Sequence, residues 1–211
     1  MRELDGARRP DGKRRTGNFY RARGKRWADV ALACVALFIM LAPMLLVALL
    51  VKLTSRGEVI FKQERIGRGG EVFVCYKFRS MRADAPHDVP TSQLEGASRY
   101  ITPLGRVLRR TSLDELPQII NVLRGDMSFV GARPLIPAER DMHRAREAGG
   151  VYELRPGITG LAQVCGRDML DDAQKLSLDL EYVGKVGLWL DVKIFLRTLF
   201  CAILGKNIRA D

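Results

Sequence analysis

The sequence is poor in the residues that build metal-centred or disulfide-knit proteins. Its 211 residues include four cysteines, Cys34, Cys75, Cys165 and Cys201, and two histidines, His87 and His143. The cysteines form no C-x-x-C pair and neither histidine is near one in sequence, which argues against a zinc site. Cys34 lies inside an apolar run, so no disulfide framework is expected, and the bulk of the chain suits a reducing, cytosolic setting. Aromatic residues make up only 7%, and no basic repeats interleave with them, which argues against a nucleic-acid binder that stacks bases. There is no internal repeat, and no low-complexity tract beyond the N-terminal tail. Acidic residues are also short: 24 Asp and Glu against 35 Lys and Arg leave a net charge of +11. That excess points to an anionic partner, whether phosphorylated substrate, anionic lipid or nucleic acid.

What is present starts with a basic leader. Residues 1–26 carry ten Lys/Arg against three acids and show no apolar periodicity, which reads as a mobile tail. Its charge suits an anionic membrane face and equally a solvated leader. Val30 to Val51 then runs 22 residues without a charge, about 33 Å of helix, close to one hydrocarbon thickness. No small-residue cleavage site follows before Lys52, unlike a signal peptide. Pro43, after Ala42, interrupts the run and predicts a kink. Residues 52–82 are basic as well, with eight Lys/Arg against three acids. The positive-inside rule wants both basic flanks on the cytoplasmic side. A re-entrant hairpin broken at Ala42-Pro43 satisfies both; a kinked span is the alternative. The organisation expected is a tail over 1–26, a re-entrant membrane helix over 27–52 and a catalytic domain over 53–211.

From residue 53 the pattern is that of an α-rich α/β domain with a small sheet. "EVIFKQERIG" and "EVFVCYKFRSM" read as two strands joined at Gly67, Gly69 and Gly70. Residues 83–100 read as a surface loop. Helices are expected over 104–110, 113–124 (closed by Gly125), 138–148, 171–186 and 188–204, with "RPGITGLAQVCGR" as a glycine-rich loop. The last helix carries an apolar stripe, Leu188, Asp191, Ile194, Phe195, Thr198, Leu199, Ala202 and Ile203. Such a helix faces a core or lies amphipathically in a membrane interface, Lys193 and Arg197 at the headgroups.

"TSLDELPQIIN" places two adjacent carboxylates, Asp114 and Glu115, at an apparent helix start. Ser112 with Glu115 matches a capping box, which would be purely structural. The chain around them is dense in cations. Lys77 and Arg79 lie in "YKFRSM", Arg106, Arg109 and Arg110 precede the pair, Arg133 sits in "GARP", and Arg155 and Arg167 bracket a glycine loop. Arginine forks bind phosphates bidentately, although most such residues simply face solvent. Beside these cations both carboxylates are expected to stay ionised. One could attack phosphorus and the other hold Mg²⁺, which takes one or two carboxylates plus phosphate oxygens.

"FKQERIG", "YKFRSM", "TSLDELPQIINVLRGDMSFVGARP", "RPGITGLAQVCGR" and "LDLEYV…LWLDVKIFLRT" resemble, in order, the bacterial sugar transferases. These are the monotopic polyprenyl-phosphate hexose-1-phosphate transferases, or phosphoglycosyl transferases. The resemblance runs from about Lys25 to about Gly205. It implies transfer of a sugar-1-phosphate from a UDP-sugar to undecaprenyl phosphate, with release of UMP, as the first membrane step of exopolysaccharide, O-antigen or related glycan synthesis. It implies Asp114 as nucleophile forming a covalent phosphosugar, Glu115 (with Asp114) at Mg²⁺, and Lys77 and Arg109 at phosphates, beside Arg79 and Arg133. Gln163 and Arg167 match the block tied to the nucleotide end. Asp179 and Asp191 match two late aspartates, supporting or structural. The family's proline-broken re-entrant helix matches Ala42-Pro43. The site would face the cytoplasm at the inner membrane, among membrane lipids, and hand its product to downstream glycosyltransferases.

Two positions depart from the family pattern. Ala132 replaces a proline in "GPRP", which loosens the loop but keeps Arg133. Cys165 replaces the Asn of "VNGR" and cannot reproduce an amide's donor and acceptor. Two readings from other classes stand beside the enzyme: an inactive membrane-bound scaffold, and a basic membrane-tethered protein binding nucleic acid or anionic lipid, whose binding would be salt-dependent and indifferent to Asp114.

Overall fold

In the computed structural model, residues 19–86, 96–166 and 169–204 are described. The chain is helical from Phe19, so the boundary expected at 26/27 falls inside ordered structure. A π-helical turn, Tyr20–Gly24, leads directly into α1, Lys25–Thr54. Pro43 lies within α1, and the middle of the helix exposes Phe38, Ile39, Leu41, Leu45 and Leu46.

Two apolar clusters lie along α1. Its first half buries Ala33 against Cys75, Ile119, Val122, Met127 and Val130. Its last turns bury Val47 and Val51 against Phe78 and Leu108. The strands expected from alternation are β1 (Ile60–Ile66) and β2 (Val72–Phe78), antiparallel, with Ile60 opposite Phe78 and Ile66 opposite Val72. The chain turns between them at Gly67–Gly70. Helix α2 (Pro103–Thr111) starts on Thr102, whose hydroxyl accepts the Gly105 amide at 2.9 Å.

The helix expected over 113–124 is divided. Leu113–Glu115 is a 3₁₀ turn, and α3 proper is Gln118–Arg124, beginning after Pro117. Gly125 closes α3 with a left-handed backbone, φ 96°, which an L side chain resists. The capping box read at Ser112 is not formed as such, because Ser112 is left-handed (φ 57°) rather than extended. The chain does form a capping box at Asp171 and Gln174, which start α6 (Asp172–Lys185).

A second ladder had no alternation long enough to see. β3 (Ser128–Val130) pairs in parallel with β4 (Gly157–Thr159), bridged by α4 (Arg140–Ala148). The segment expected as glycine loop therefore contributes β4 and a short α5 (Leu161–Cys165). The small sheet is two separate two-stranded ladders among the described residues. The final helix α7 (Leu188–Leu204) turns Asp191 and Ile194 inward and exposes Trp189, Val192, Leu196, Leu199 and Phe200. Leu188 and Leu199, on the stripe expected to face either a core or a membrane interface, are exposed.

Candidate active site

The acidic pair sits where α2, β2 and α3 converge. Its turn is held from both flanks by apolar anchors: Leu113 packs on the Val51–Phe78–Leu108 cluster, and Leu116 touches both clusters. Ser112, in its left-handed conformation, reverses the chain after α2, and the Glu115 amide closes the turn on the Ser112 carbonyl at 3.1 Å. Among the described residues Ser112 is the only non-glycine with positive φ. Backbone strain of this kind costs on the order of 1–3 kcal/mol and persists where surrounding packing imposes it. Asp114 and Glu115 both end up buried, unlike the solvent-facing acids of an ordinary helix start.

Asn121 brings the strand bearing Lys77 to this turn. Fully buried on α3, it accepts the Tyr76 amide at 3.1 Å and donates to the Val74 carbonyl at 2.7 Å. It thus completes the β2 edge that β1 leaves unpaired. No sequence signal singled it out, beyond a polar residue in the apolar run "IINVL".

Glu115 is the focus of two cations. Lys77 Nζ donates to its Oε1 at 2.9 Å and Arg133 donates to the same oxygen at 3.0 Å. Asp114 lies in the field of Lys77, Arg109 and Arg133, yet its carboxyl is pushed up to about 6, first by burial and then by the neighbouring Glu115 charge. The expectation that nearby cations would dominate is corrected here. Removing the carboxylate from water outweighs their attraction.

Arg133 is delivered by the loop after β3. That loop lies backbone to backbone on the 155–160 segment, and side chains there would collide. A Cβ on Gly131 would come within 2.6 Å of the Arg155 carbonyl, and one on Gly160 within 2.1 Å of the Gly131 carbonyl.

Other expected residues go elsewhere. Arg79 is buried and donates to the Ser55 carbonyl and hydroxyl, both at 2.8 Å, at the C-terminus of α1, where a cation suits the helix dipole. Arg155 donates to the Gly125 carbonyl at 2.6 Å. Arg106 and Arg110 are exposed. Asp179 pairs with Arg146 at 2.6 Å, and Asp191 receives Lys25, Tyr20 and Tyr182. Gln163 lies beside Gly160, its amide shielded and without a hydrogen-bond partner among the described residues. Arg167 lies outside the described residues.

No group of three or more His, Cys, Asp and Glu that could hold a metal occurs among the described residues. Asp114 and Glu115 are two adjacent buried carboxylates that could hold Mg²⁺ if phosphate oxygens completed its shell.

Residues 20–205 match the family model described as bacterial sugar transferase. The chain belongs to this family. The transferase is 45% identical over 192 residues to a UDP-glucose:undecaprenyl-phosphate glucose-1-phosphate transferase of Caulobacter vibrioides, a match covering 87% of this chain and 71% of that protein. It is 41% identical over 189 residues to a protein of the same name from Escherichia coli K12, covering 86% of this chain and 40% of the relative. The transferase thus spans about two-fifths of the E. coli relative's length. Against the exopolysaccharide production protein ExoY of Rhizobium meliloti, identity is 35% over 200 residues and coverage is 87% of both chains.

Proposed function

We propose that this sugar transferase moves a sugar-1-phosphate from a UDP-sugar to undecaprenyl phosphate, with release of UMP, using Asp114 as nucleophile. The observation that carries the reading is a buried carboxylate, Asp114, in the field of three cations, beside a second carboxylate held by two of them. The names of the relatives supply the substrates.

Asp114 Oδ attacks the β-phosphorus. The new O–P bond forms as the bond to the bridging oxygen breaks, and UMP leaves with that oxygen. A lipid phosphate oxygen then attacks the same phosphorus and displaces Asp114. Lys77, Arg109 and Arg133 line the charge that shifts between phosphates, an electrostatic contribution suited to phosphoryl transfer. Asp114 and Glu115 would hold Mg²⁺, which neutralises the diphosphate when bound.

The acceptor cannot leave the bilayer, so the site must sit at headgroup level. Helix α1 is the one helix among those described that is long and apolar enough to cross a membrane. At 30 residues it measures about 45 Å. Its first turn is tied to α7 through Lys25 and Asp191, and its C-cap Ser55 to Arg79, the residue that follows β2. Helix α1 runs unbroken through Pro43, so the break expected at Ala42-Pro43 is not formed, and a return on one face would rest on a bend at Pro43; both ends packing on one body supports that reading over a crossing. The outward apolar residues of α7 support an interfacial helix alongside it. We place the catalytic domain on the cytoplasmic face of the inner membrane, where nucleotide sugars are made.

The test is UMP release from a panel of UDP-sugars by detergent-extracted protein, with Mg²⁺ and undecaprenyl phosphate. Wild type is expected to release UMP with one donor, and Asp114→Asn with none. Substantial turnover by the variant would remove Asp114 as nucleophile.

A further inference from the structure

We propose that Asp179 is a positioning residue for the transfer: through Arg146 it fixes the main chain of Arg133, and with it the guanidinium that meets Glu115. The inference rests on the reading of Asp114–Glu115 as the reaction centre.

Arg146 on α4 and Asp179 on α6 have side chains 4% and 2% exposed. One end of the Arg146 fork donates to Asp179 Oδ2 at 2.6 Å, and the other donates to the Arg133 carbonyl at 2.7 Å. A buried ion pair is a weak source of stability, because desolvation cancels much of the attraction. An apolar pair of similar volume would hold α4 on α6 as well. What it could not do is aim a hydrogen bond at one carbonyl, and a guanidinium held at one end by a carboxylate does this rigidly.

The same loop is gripped from its other side. Arg65 on β1, itself largely buried, donates to the Pro134 carbonyl at 2.9 Å, and the Ile66 amide donates to the Leu135 carbonyl at 3.0 Å. Three successive carbonyls, at 133, 134 and 135, are therefore taken from two different elements. The Arg133 side chain is 41% exposed, so its placement is inherited from its main chain more than from packing. Asp191, by contrast, is bonded to Lys25, Tyr20 and Tyr182, none of which bonds to Asp114 or Glu115.

The decisive variant replaces the pair by apolar residues, Arg146→Met with Asp179→Leu. It keeps the packing and deletes the hydrogen bond to Arg133. Arg146→Lys, which keeps the charge but not the fork, serves as a second variant should the first fail to fold. Folding is checked by Tm, donor and acceptor kinetics by UMP release, and UDP affinity by calorimetry.

A misplacement of about 1 Å can cost up to roughly 100-fold. The expected result is a folded protein whose kcat/KM for the UDP-sugar and affinity for UDP fall tenfold or more on that scale, with the KM for undecaprenyl phosphate unchanged. In an Arg133→Ala background the same replacement should add less than about twofold, because the two changes act through one group. Wild-type donor kinetics and UDP affinity in either folded variant would overturn the inference, as would an undiminished further loss in the Arg133→Ala background. If wild type itself turns over no UDP-sugar, the functional reading fails and UDP affinity alone decides. A drop on replacing the pair then still supports the positioning role, and unchanged or absent binding overturns it.

Discussion

Asp114 must be ionised to attack phosphorus, and its burial works against that. With its carboxyl at about 6, the protonated form takes over as pH falls through that value. Mg²⁺ bound to the pair would compete with that proton, so UMP release is expected to need more Mg²⁺ as pH falls below about 6, read as a rising half-saturating Mg²⁺ concentration. The same shift has the opposite sign for stability. A carboxyl raised from 3.8 to about 6 binds more protons folded than unfolded, so its contribution to stability falls as pH rises across that window and is lowest above it. Asp114→Asn removes the buried charge. It is expected to raise stability at pH 7.5 by on the order of 1–3 kcal/mol, read as a higher Tm, while abolishing turnover. A lower Tm would mean that Lys77, Arg109 and Arg133 depend on Asp114 more than its burial costs. Glu115 behaves differently, because Lys77 and Arg133 share one of its oxygens. Glu115→Gln should raise the Mg²⁺ concentration that turnover needs and lower Tm together, since it removes a carboxylate ligand and leaves two cations facing a neutral amide.

At the scale of elements, the turn from Ser112 to Pro117 does the most. An N-terminal capping box there would have pointed the acids toward solvent at the start of a continuous helix. Instead the left-handed Ser112 and the 3₁₀ turn fold them inward, and α3 starts only after Pro117. A β-branched residue resists positive φ strongly. Ser112→Val is expected to lose about 1–3 kcal/mol in a denaturation experiment and most of the activity, while Ser112→Gly keeps both. If Ser112→Val matches wild type, the turn is not what sets the acids. The expectation of two strands around a glycine turn, by contrast, was legible because alternation over seven residues is long enough to fix a register. The β3–β4 ladder was not, since three-residue strands carry too little pattern.

Across the whole molecule, the first and last helices are bound into one structure. Lys25 is buried and ion-paired with Asp191, which also accepts from Tyr20 and Tyr182, and Arg26 donates to the carbonyls of Val122 and Leu123 that end α3. Composition left these residues in a basic tail suited equally to a membrane face and to solvent, yet they tie α1 to the rest of the chain. Lys25→Met leaves Asp191 buried without its cation, which should cost about 3–5 kcal/mol. Thermal unfolding in detergent would show it, and limited proteolysis should cut near α1 sooner than in wild type. An unchanged Tm would mean that the two tyrosines alone satisfy Asp191.

The sequence by itself determined the elements with strong periodicity, the apolar run with its proline, and a pool of chemically able residues: the acids Asp114 and Glu115, and cations among which Arg79 and Arg155 stood beside Lys77, Arg109 and Arg133. Those follow from local pattern and from side-chain chemistry, which need no partner to be read. Only the tertiary structure decided which cations reach the acids. Lys77 and Arg133 arrive because Asn121 completes an unpaired strand edge and because close-packed glycines seat a loop. Arg79 and Arg155, identical in type, are drawn to free helix-end carbonyls instead. The pKa of Asp114 was likewise undecidable from composition, because desolvation depends on what covers a group and not on what neighbours it in sequence.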